Sequence, residues 1–182
     1  NYTKNIKYFL KHIRKNKKTS DIKGSISNKS VSKFVNEKAT KHLYNIYLLL
    51  LKHKNIKEKQ FENCHELIKV SIPSKVISTG KCSFYNCSSL TQISIPISLT
   101  SIKSHSFREC SRLMEIYIPS SVTIIEGYAF DGCTSLTTVT IPTSVTSIGE
   151  CAFYGCSSLT QILITSSITV INNHTFARCF NL

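Results

Sequence analysis

The sequence repeats itself every 23 residues through its C-terminal two-thirds. A phenylalanine recurs at this interval, at Phe61, Phe84, Phe107, Phe130, Phe153 and Phe176. A cysteine follows each phenylalanine by three residues, at Cys64, Cys87, Cys110, Cys133, Cys156 and Cys179. A fixed period of this length predicts a solenoid, in which each coil buries its apolar side chains against the next coil.

Each unit continues with an L-x-x-I-x-I pattern that predicts a short strand, as in Leu90, Ile93 and Ile95. Alternating apolar residues suit a strand with one buried face, and equivalent strands stacked in register form a parallel sheet. Proline follows the strand in four units and ends it, because proline has no N–H to donate. The position two residues after each phenylalanine is Asn or Gly in four of six units, so we predict a tight turn with positive φ there.

The unit F-x-x-C-x-x-L-x-x-I-x-I-P-x-x-V-x-x-I-x-x-x-A-F resembles the BspA-like leucine-rich repeat, from about Phe61 to Leu182. The stretches AFYGCSSLT and IPTSVTSIG are highly specific for that family. The resemblance implies a β-rich, right-handed leucine-rich-repeat superhelix. It also implies a cell-surface or secreted protein, similar to adhesins of bacteria and parasitic protists, with a protein or glycan ligand on another cell or matrix.

The net charge of +13 lies entirely in residues 1–60, which hold 16 Lys+Arg and 3 Asp+Glu, whereas residues 61–182 hold 7 of each. We expect a basic arm over 1–30, as a short helix or a solvated tail, with weak binding to anionic surfaces. Residues 31–60 are predicted to form an amphipathic helix or a degenerate capping coil. Residues 61–182 form the repeats, which stop within a unit, so we expect both ends of the chain to be cut.

The six cysteines of the repeat column are predicted to be buried, free thiols that pack as small apolar residues. Cys82 and Cys151 belong to another column, with His105, Tyr128 and His174, which we expect to face solvent and to hold the reactive thiols. Neighbouring Cys and His in that column offer only two ligands at a time, whereas zinc requires four. No metal and no other cofactor are therefore expected.

No enzyme motif is present: the sequence lacks G-x-S-x-G, a phosphate-binding glycine loop and H-E-x-x-H. We therefore predict a non-enzymatic protein-binding or adhesion module with no small-molecule substrate. The alternative is an intracellular scaffold whose basic arm binds nucleic acid or anionic membrane. Strand side chains alternate, so the residues between the buried ones must point outward. They predict the binding face: Lys69, Ser71, Gln92, Ser94, Glu115, Tyr117, Thr138, Thr140, Gln161 and Leu163.

Overall fold

A computed structural model describes residues 54–65 and 67–182 of the chain. Its ten strands are Asn55–Ile56 (β1), Lys69–Ser71 (β2), Ser78–Thr79 (β3), Gln92–Ser94 (β4), Ser101–Ile102 (β5), Glu115–Tyr117 (β6), Ile124–Ile125 (β7), Thr138–Thr140 (β8), Ser147–Ile148 (β9) and Gln161–Leu163 (β10). No helix occurs within these described ranges. The predicted basic arm over 1–30 and the segment 31–53 lie outside them.

The strands stack in register into parallel sheets. The larger sheet has five strands in the order β10-β8-β6-β4-β2, and β5-β7-β9 form a second sheet on the other side of each coil. Ile93 pairs with Val70 on one side and with Ile116 on the other, always 23 residues away. The prediction of a β-rich solenoid with 23-residue coils and a short parallel sheet is confirmed.

The first coil begins upstream of Phe61. β1 pairs in parallel with β3, with Ile56 opposite Thr79, and Ile56 is buried. Residues 57–63 then form turns. Residues 54–60 thus belong to a coil, with Ile56 at an inward position of the repeat. The amphipathic helix or degenerate capping coil expected over 31–60 stays a prediction, because most of that segment lies outside the described residues.

Four of the five three-residue strands are followed by a proline turn. The Pro96 carbonyl accepts a hydrogen bond from the Leu99 N–H at 3.1 Å, and the same turn recurs at Pro73, Pro119 and Pro142. In the last unit Thr165 replaces proline, and its carbonyl accepts from Ile168 N–H at 3.1 Å. The turn geometry thus survives the loss of the proline ring.

Two turn positions in each coil adopt the left-handed backbone conformation. The predicted one, two residues after the phenylalanine, has positive φ at Asn63, Asn86, Glu109, Gly132, Gly155 and Arg178. The other, two residues before the phenylalanine, was not predicted and has positive φ at Lys59, Cys82, His105, Tyr128, Cys151 and His174. The second column holds no glycine, so the stacked backbone hydrogen bonds must stabilise a conformation that these residues rarely adopt alone.

The phenylalanines form a continuous stack through the core. Successive ring centroids lie between 5.1 Å (Phe61 to Phe84) and 5.8 Å (Phe153 to Phe176) apart, with nearly parallel planes. Four of the six rings are fully shielded from solvent. Aromatic pairs at these distances stabilise the fold beyond the burial of their area.

The column cysteines also join neighbouring coils by hydrogen bonds. The Cys133 thiol donates to the Phe107 carbonyl at 3.2 Å, and equivalent bonds of 3.1–3.2 Å start at Cys87, Cys110, Cys156 and Cys179. All eight cysteines are free, and the column is buried except for Cys179, which is half-buried. A small apolar residue with a weak donor fits this position, because each carbonyl has a second lone pair beside its backbone hydrogen bond, such as the one that Phe107 accepts from the Cys110 N–H at 3.1 Å.

One cysteine prediction is wrong. Cys151 is buried, with 7% of its surface exposed, whereas Cys82 is partly exposed as expected. The side chain of Tyr128 in the preceding coil lies next to the Cys151 thiol, and their interaction raises the pKa of Tyr128. The thiol environments therefore differ within one column of the repeat.

These environments predict an order of thiol reactivity. Cys179 is expected to react fastest with a maleimide probe in the folded protein, because it is only half-buried and the neighbouring Cys156 thiol lowers its pKa. Cys82 should follow, since burial raises its pKa. Burial raises the pKa of Cys110 to about 12, so Cys110 should react at least about tenfold more slowly. Mass spectrometry of the labelled protein checks the order; rapid labelling of Cys110 would contradict it.

Candidate functional site

The predicted binding face forms on the outer side of the larger sheet. Its first column runs Lys69, Gln92, Glu115, Thr138 and Gln161, and its second runs Ser71, Ser94, Tyr117, Thr140 and Leu163, each residue paired in register with the next. Nine of these ten residues are exposed, and Ser71 is half-buried. The residues between the two columns, such as Ile93 and Ile116, point into the core and are buried.

Tyr117 is the prominent side chain of this face, with 73% of its surface exposed. Its in-register neighbours are Ser94 and Thr140, which are both small. The ring therefore stands clear of the side chains on either side. An exposed tyrosine of this kind presents a large rigid surface whose ordering on binding costs little conformational entropy.

A groove of about 570 Å³ runs over the sheet from β2 to β8. Eight of the ten predicted residues line it, and Val70, Ile93 and Ile116 complete the lining. Gln161 and Leu163 continue the two columns on β10 but do not line the groove. The structure thus brings together the predicted residues of four neighbouring strands and leaves those of the fifth at one end.

The groove carries one positive and one negative side chain. Lys69 and Glu115 belong to the same column and are separated by Gln92. The Gln92 amide donates to Glu115 Oε1 at 3.4 Å. The other polar groups of the lining are hydroxyls, so the groove combines neutral donors and acceptors with no net charge.

A second cluster, which the sequence did not reveal, lies on the turns. Arg108 Nε is 2.9 Å from Asp131 Oδ2, and the Arg108 guanidinium lies about 6 Å from the ring centres of both Tyr85 (6.0 Å) and Tyr128 (5.8 Å). The ring of His105 stacks on Tyr128 at 4.9 Å. Burial, together with the Arg108 and Lys81 charges, lowers the pKa of His105. The only indication of this cluster in the sequence was that its residues occupy turn positions of successive units.

The carboxylates on the turns have opposite pKa shifts. Burial opposes ionisation of Glu126, but hydrogen bonds from Lys103 Nζ at 2.7 Å and Ser104 N–H at 3.0 Å outweigh it, so the pKa of Glu126 lies below its ordinary value. Burial raises the pKa of Asp131, and the Arg108 charge offsets this only in part. These groups act on stability rather than on the groove.

The Glu126 shift predicts an acid-dependent loss of stability. A lowered pKa in the folded state stabilises the fold above the ordinary value of 4.5, and this contribution disappears as the pH falls through the folded-state pKa. Glu126→Gln should remove about 0.5 kcal/mol at neutral pH, since the ion pair is partly exposed, and less below pH 4. Urea titrations across this range measure the difference. Asp131→Asn is the control, because the pKa of Asp131 is shifted in the opposite direction. An equal loss of stability for Glu126→Gln at all pH values would contradict the lowered pKa of Glu126.

No group of three potential metal ligands converges anywhere in residues 54–65 and 67–182. The same ranges contain no helix that is long and apolar enough to cross a bilayer. The groove likewise holds a single carboxylate, a lysine and hydroxyls, without histidine or cysteine. Its chemistry is suited to recognition through hydrogen bonds and stacking.

The repeat geometry agrees with known proteins. The profile of the BspA type leucine rich repeat region matches residues 54–182 in six copies. A search of curated proteins finds no match. Repeats of this kind generally form non-catalytic modules for protein interaction.

Solved structures of similar proteins come from bacteria. A leucine-rich repeat protein from Bacteroides ovatus is 35% identical, with a TM-score of 0.68 over 70% of this chain and 33% of its own. The T. pallidum leucine rich repeat protein is 34% identical, with a TM-score of 0.69 over 70% of this chain and 60% of its own. A leucine rich cell surface protein from Faecalibacterium prausnitzii is 37% identical, with a TM-score of 0.59 over 60% of this chain and 29% of its own.

The chain thus spans between about a third and three-fifths of the length of the first two of these proteins. The likeness covers the fold. On the sequence profile and the coil geometry together, the chain belongs to the BspA type leucine-rich repeat family.

Proposed function

We propose that the chain is the recognition module of a cell-surface adhesin, and that its sheet face binds a macromolecule on another cell or in the surrounding matrix. The observation that carries this proposal is the exposed Tyr117 ring in a groove of small polar residues. Family membership supports a binding role, since leucine-rich repeats of this type generally serve interactions.

The sheet face suits binding because its side chains are held by a rigid scaffold. Every residue of the two columns belongs to a strand whose neighbours fix its backbone. A partner therefore meets groups that are already placed, and little entropy is lost in ordering them. Interface energy concentrates in tyrosine and a few other residue types, which makes Tyr117 the expected anchor.

The surface location rests on two observations. The repeat unit resembles those of surface proteins, and the similar protein from F. prausnitzii is a cell surface protein. The alternative, an intracellular scaffold that binds nucleic acid or anionic membrane, depends on the basic residues of 1–53, which lie outside the described residues. The sheet face contains a single lysine and so gives that alternative no support.

The double variant Tyr117→Ser/Glu115→Lys is expected to weaken binding to cultured epithelial cells and matrix extracts about 30-fold. Loss of a tyrosine anchor of about 2 kcal/mol corresponds to this factor. Binding of the fluorescently labelled protein, measured by flow cytometry and on coated plates, checks the result. Circular dichroism should show an unchanged fold, because both replaced side chains are exposed.

The matched control is Tyr154→Ser/Glu150→Lys, which makes the same chemical changes on the turns. Tyr154 contacts Arg178 at 5.4 Å and lies away from the groove. Weaker binding by the control, with full binding by the sheet-face variant, would place the partner on the turns and refute the proposal.

A further inference from the structure

We propose that the sheet face recognises a neutral, linear oligosaccharide chain that crosses the strands along the axis of the stack. This inference rests on the proposed function and names the chemistry of its ligand. It is carried by the charge of the groove, its hydrogen-bonding groups, the Tyr117 ring and the spacing of the strands.

Charge complementarity favours an uncharged ligand. Lys69 and Glu115 cancel each other, and Gln92 between them donates to the Glu115 carboxylate. A sulfated or phosphorylated chain would meet one lysine and be repelled by Glu115. A basic peptide would find one carboxylate that already accepts a hydrogen bond. Neither sign of charge is therefore matched over the length of the groove.

The hydrogen-bonding groups match those of sugars. Ser71, Ser94, Thr138 and Thr140 offer hydroxyls that donate and accept, and Gln92 offers both an amide donor and a carbonyl acceptor. A sugar hydroxyl has the same dual character, so it can exchange bonds with these groups in either direction. Glu115 adds a charged acceptor, which strengthens a hydrogen bond from a neutral donor.

Tyr117 supplies the apolar contact that such a ligand needs. The axial C–H groups on one face of a pyranose ring form a flat apolar patch, which packs on an aromatic ring. Tyr117 is 73% exposed between Ser94 and Thr140, so both small neighbours leave its ring open to this contact.

The strand spacing sets the orientation. Neighbouring strands lie about 4.8 Å apart, so β2 to β8 span about 14 Å in three intervals. An extended chain of β-1,4-linked pyranose rings advances by a similar length for each ring. About three rings would therefore meet equivalent side chains on successive strands. The 570 Å³ of the groove is within the range of pockets that bind ligands of this size.

Calorimetric titration with neutral β-1,4-linked oligosaccharides tests the inference on the whole chain. Series built from glucose, N-acetylglucosamine and mannose should be used from disaccharide to hexasaccharide. We expect at least one series to bind, with affinity that rises to about the trisaccharide or tetrasaccharide and then levels off. Tyr117→Ala should reduce affinity at least tenfold, and Tyr117→Phe should preserve it within a factor of three. Tyr154→Ala is the control and should have no effect.

Failure to bind in all three series, or binding that Tyr117→Ala does not weaken, would overturn the inference. Binding of heparin alone would also overturn it, because that ligand is anionic. The inference and the proposed function can fail separately. If Tyr117→Ser/Glu115→Lys abolishes cell binding, but neither oligosaccharide competition nor periodate oxidation of the cell glycans affects it, the sheet face binds a protein and the glycan inference is wrong. If that variant leaves cell binding intact, the proposed function itself is wrong.

Discussion

Phe130→Ala is expected to lower the free energy of unfolding by about 3–5 kcal/mol, the usual cost of removing a buried phenylalanine. Phe130 is fully buried and stacks on Phe107 at 5.5 Å and on Phe153 at 5.1 Å. The cavity would lie in the middle of the column, where coils on both sides are held by continuous backbone hydrogen bonds. These coils cannot collapse into the space without breaking the register of the sheets.

Urea unfolding followed by circular dichroism measures this loss. Phe176→Ala is the matched control, because Phe176 is half-buried and stacks on a single described ring, Phe153 at 5.8 Å. We expect it to cost less than half as much. Equal costs at the two positions would show that the stack contributes nothing beyond the burial of each ring.

Gly149→Ala is expected to destabilise the protein by about 1–3 kcal/mol, the range for overpacking a close contact. A Cβ at this position would lie 2.3 Å from the Gly127 nitrogen and 2.7 Å from its Cα, both in the preceding coil. Backbone atoms cannot move aside as the end of a flexible side chain can. The two coils must therefore separate or shift at this turn.

Gly127→Ala is the control for that prediction. Its added Cβ would meet the Glu150 carbonyl oxygen at 3.1 Å, which a small adjustment relieves. Thermal unfolding of both variants compares them directly. A larger loss for Gly127→Ala than for Gly149→Ala would contradict the close approach of coils at Gly149.

The period alone predicted most of the fold. Phe, Cys and Leu each recur at one position, and a position that is apolar in every coil must face inward. The recurrence of one residue type at one position of every unit also predicts the in-register strands, the proline turns and the first left-handed turn. The sheet-face residues Tyr117 and Glu115 could be placed for the same reason, because alternation in a strand fixes which side chains point outward.

Features that depend on a single coil could not be predicted. The second left-handed position is occupied by residues such as Cys82 and Tyr128, whose types do not indicate positive φ. Cys151 lies next to Tyr128, and Arg108 pairs with Asp131, so both contacts depend on which side chains happen to lie 23 residues apart. The buried hydroxyls of Ser83 and Ser106 find no partner, although later coils have Ala129 and Ala152 at that position.

The extent of the groove also could not be predicted from the sequence. Both columns continue to Gln161 and Leu163, but the groove ends at β8. Where a row of side chains becomes a concave surface depends on how the coils are stacked, and the repeat pattern is the same in every unit. The binding measurements on the Tyr117 and Glu115 variants test the role of these residues.

The thiol-to-carbonyl bonds have a consequence for how such a chain changes length over evolution. Each one joins a coil to its predecessor across 26 residues with the same geometry. A duplicated or deleted unit therefore keeps the same thiol-to-carbonyl contacts on both sides. Each added coil lengthens the outer face by one strand spacing, so a change in the number of repeats changes the length of the surface that a partner meets.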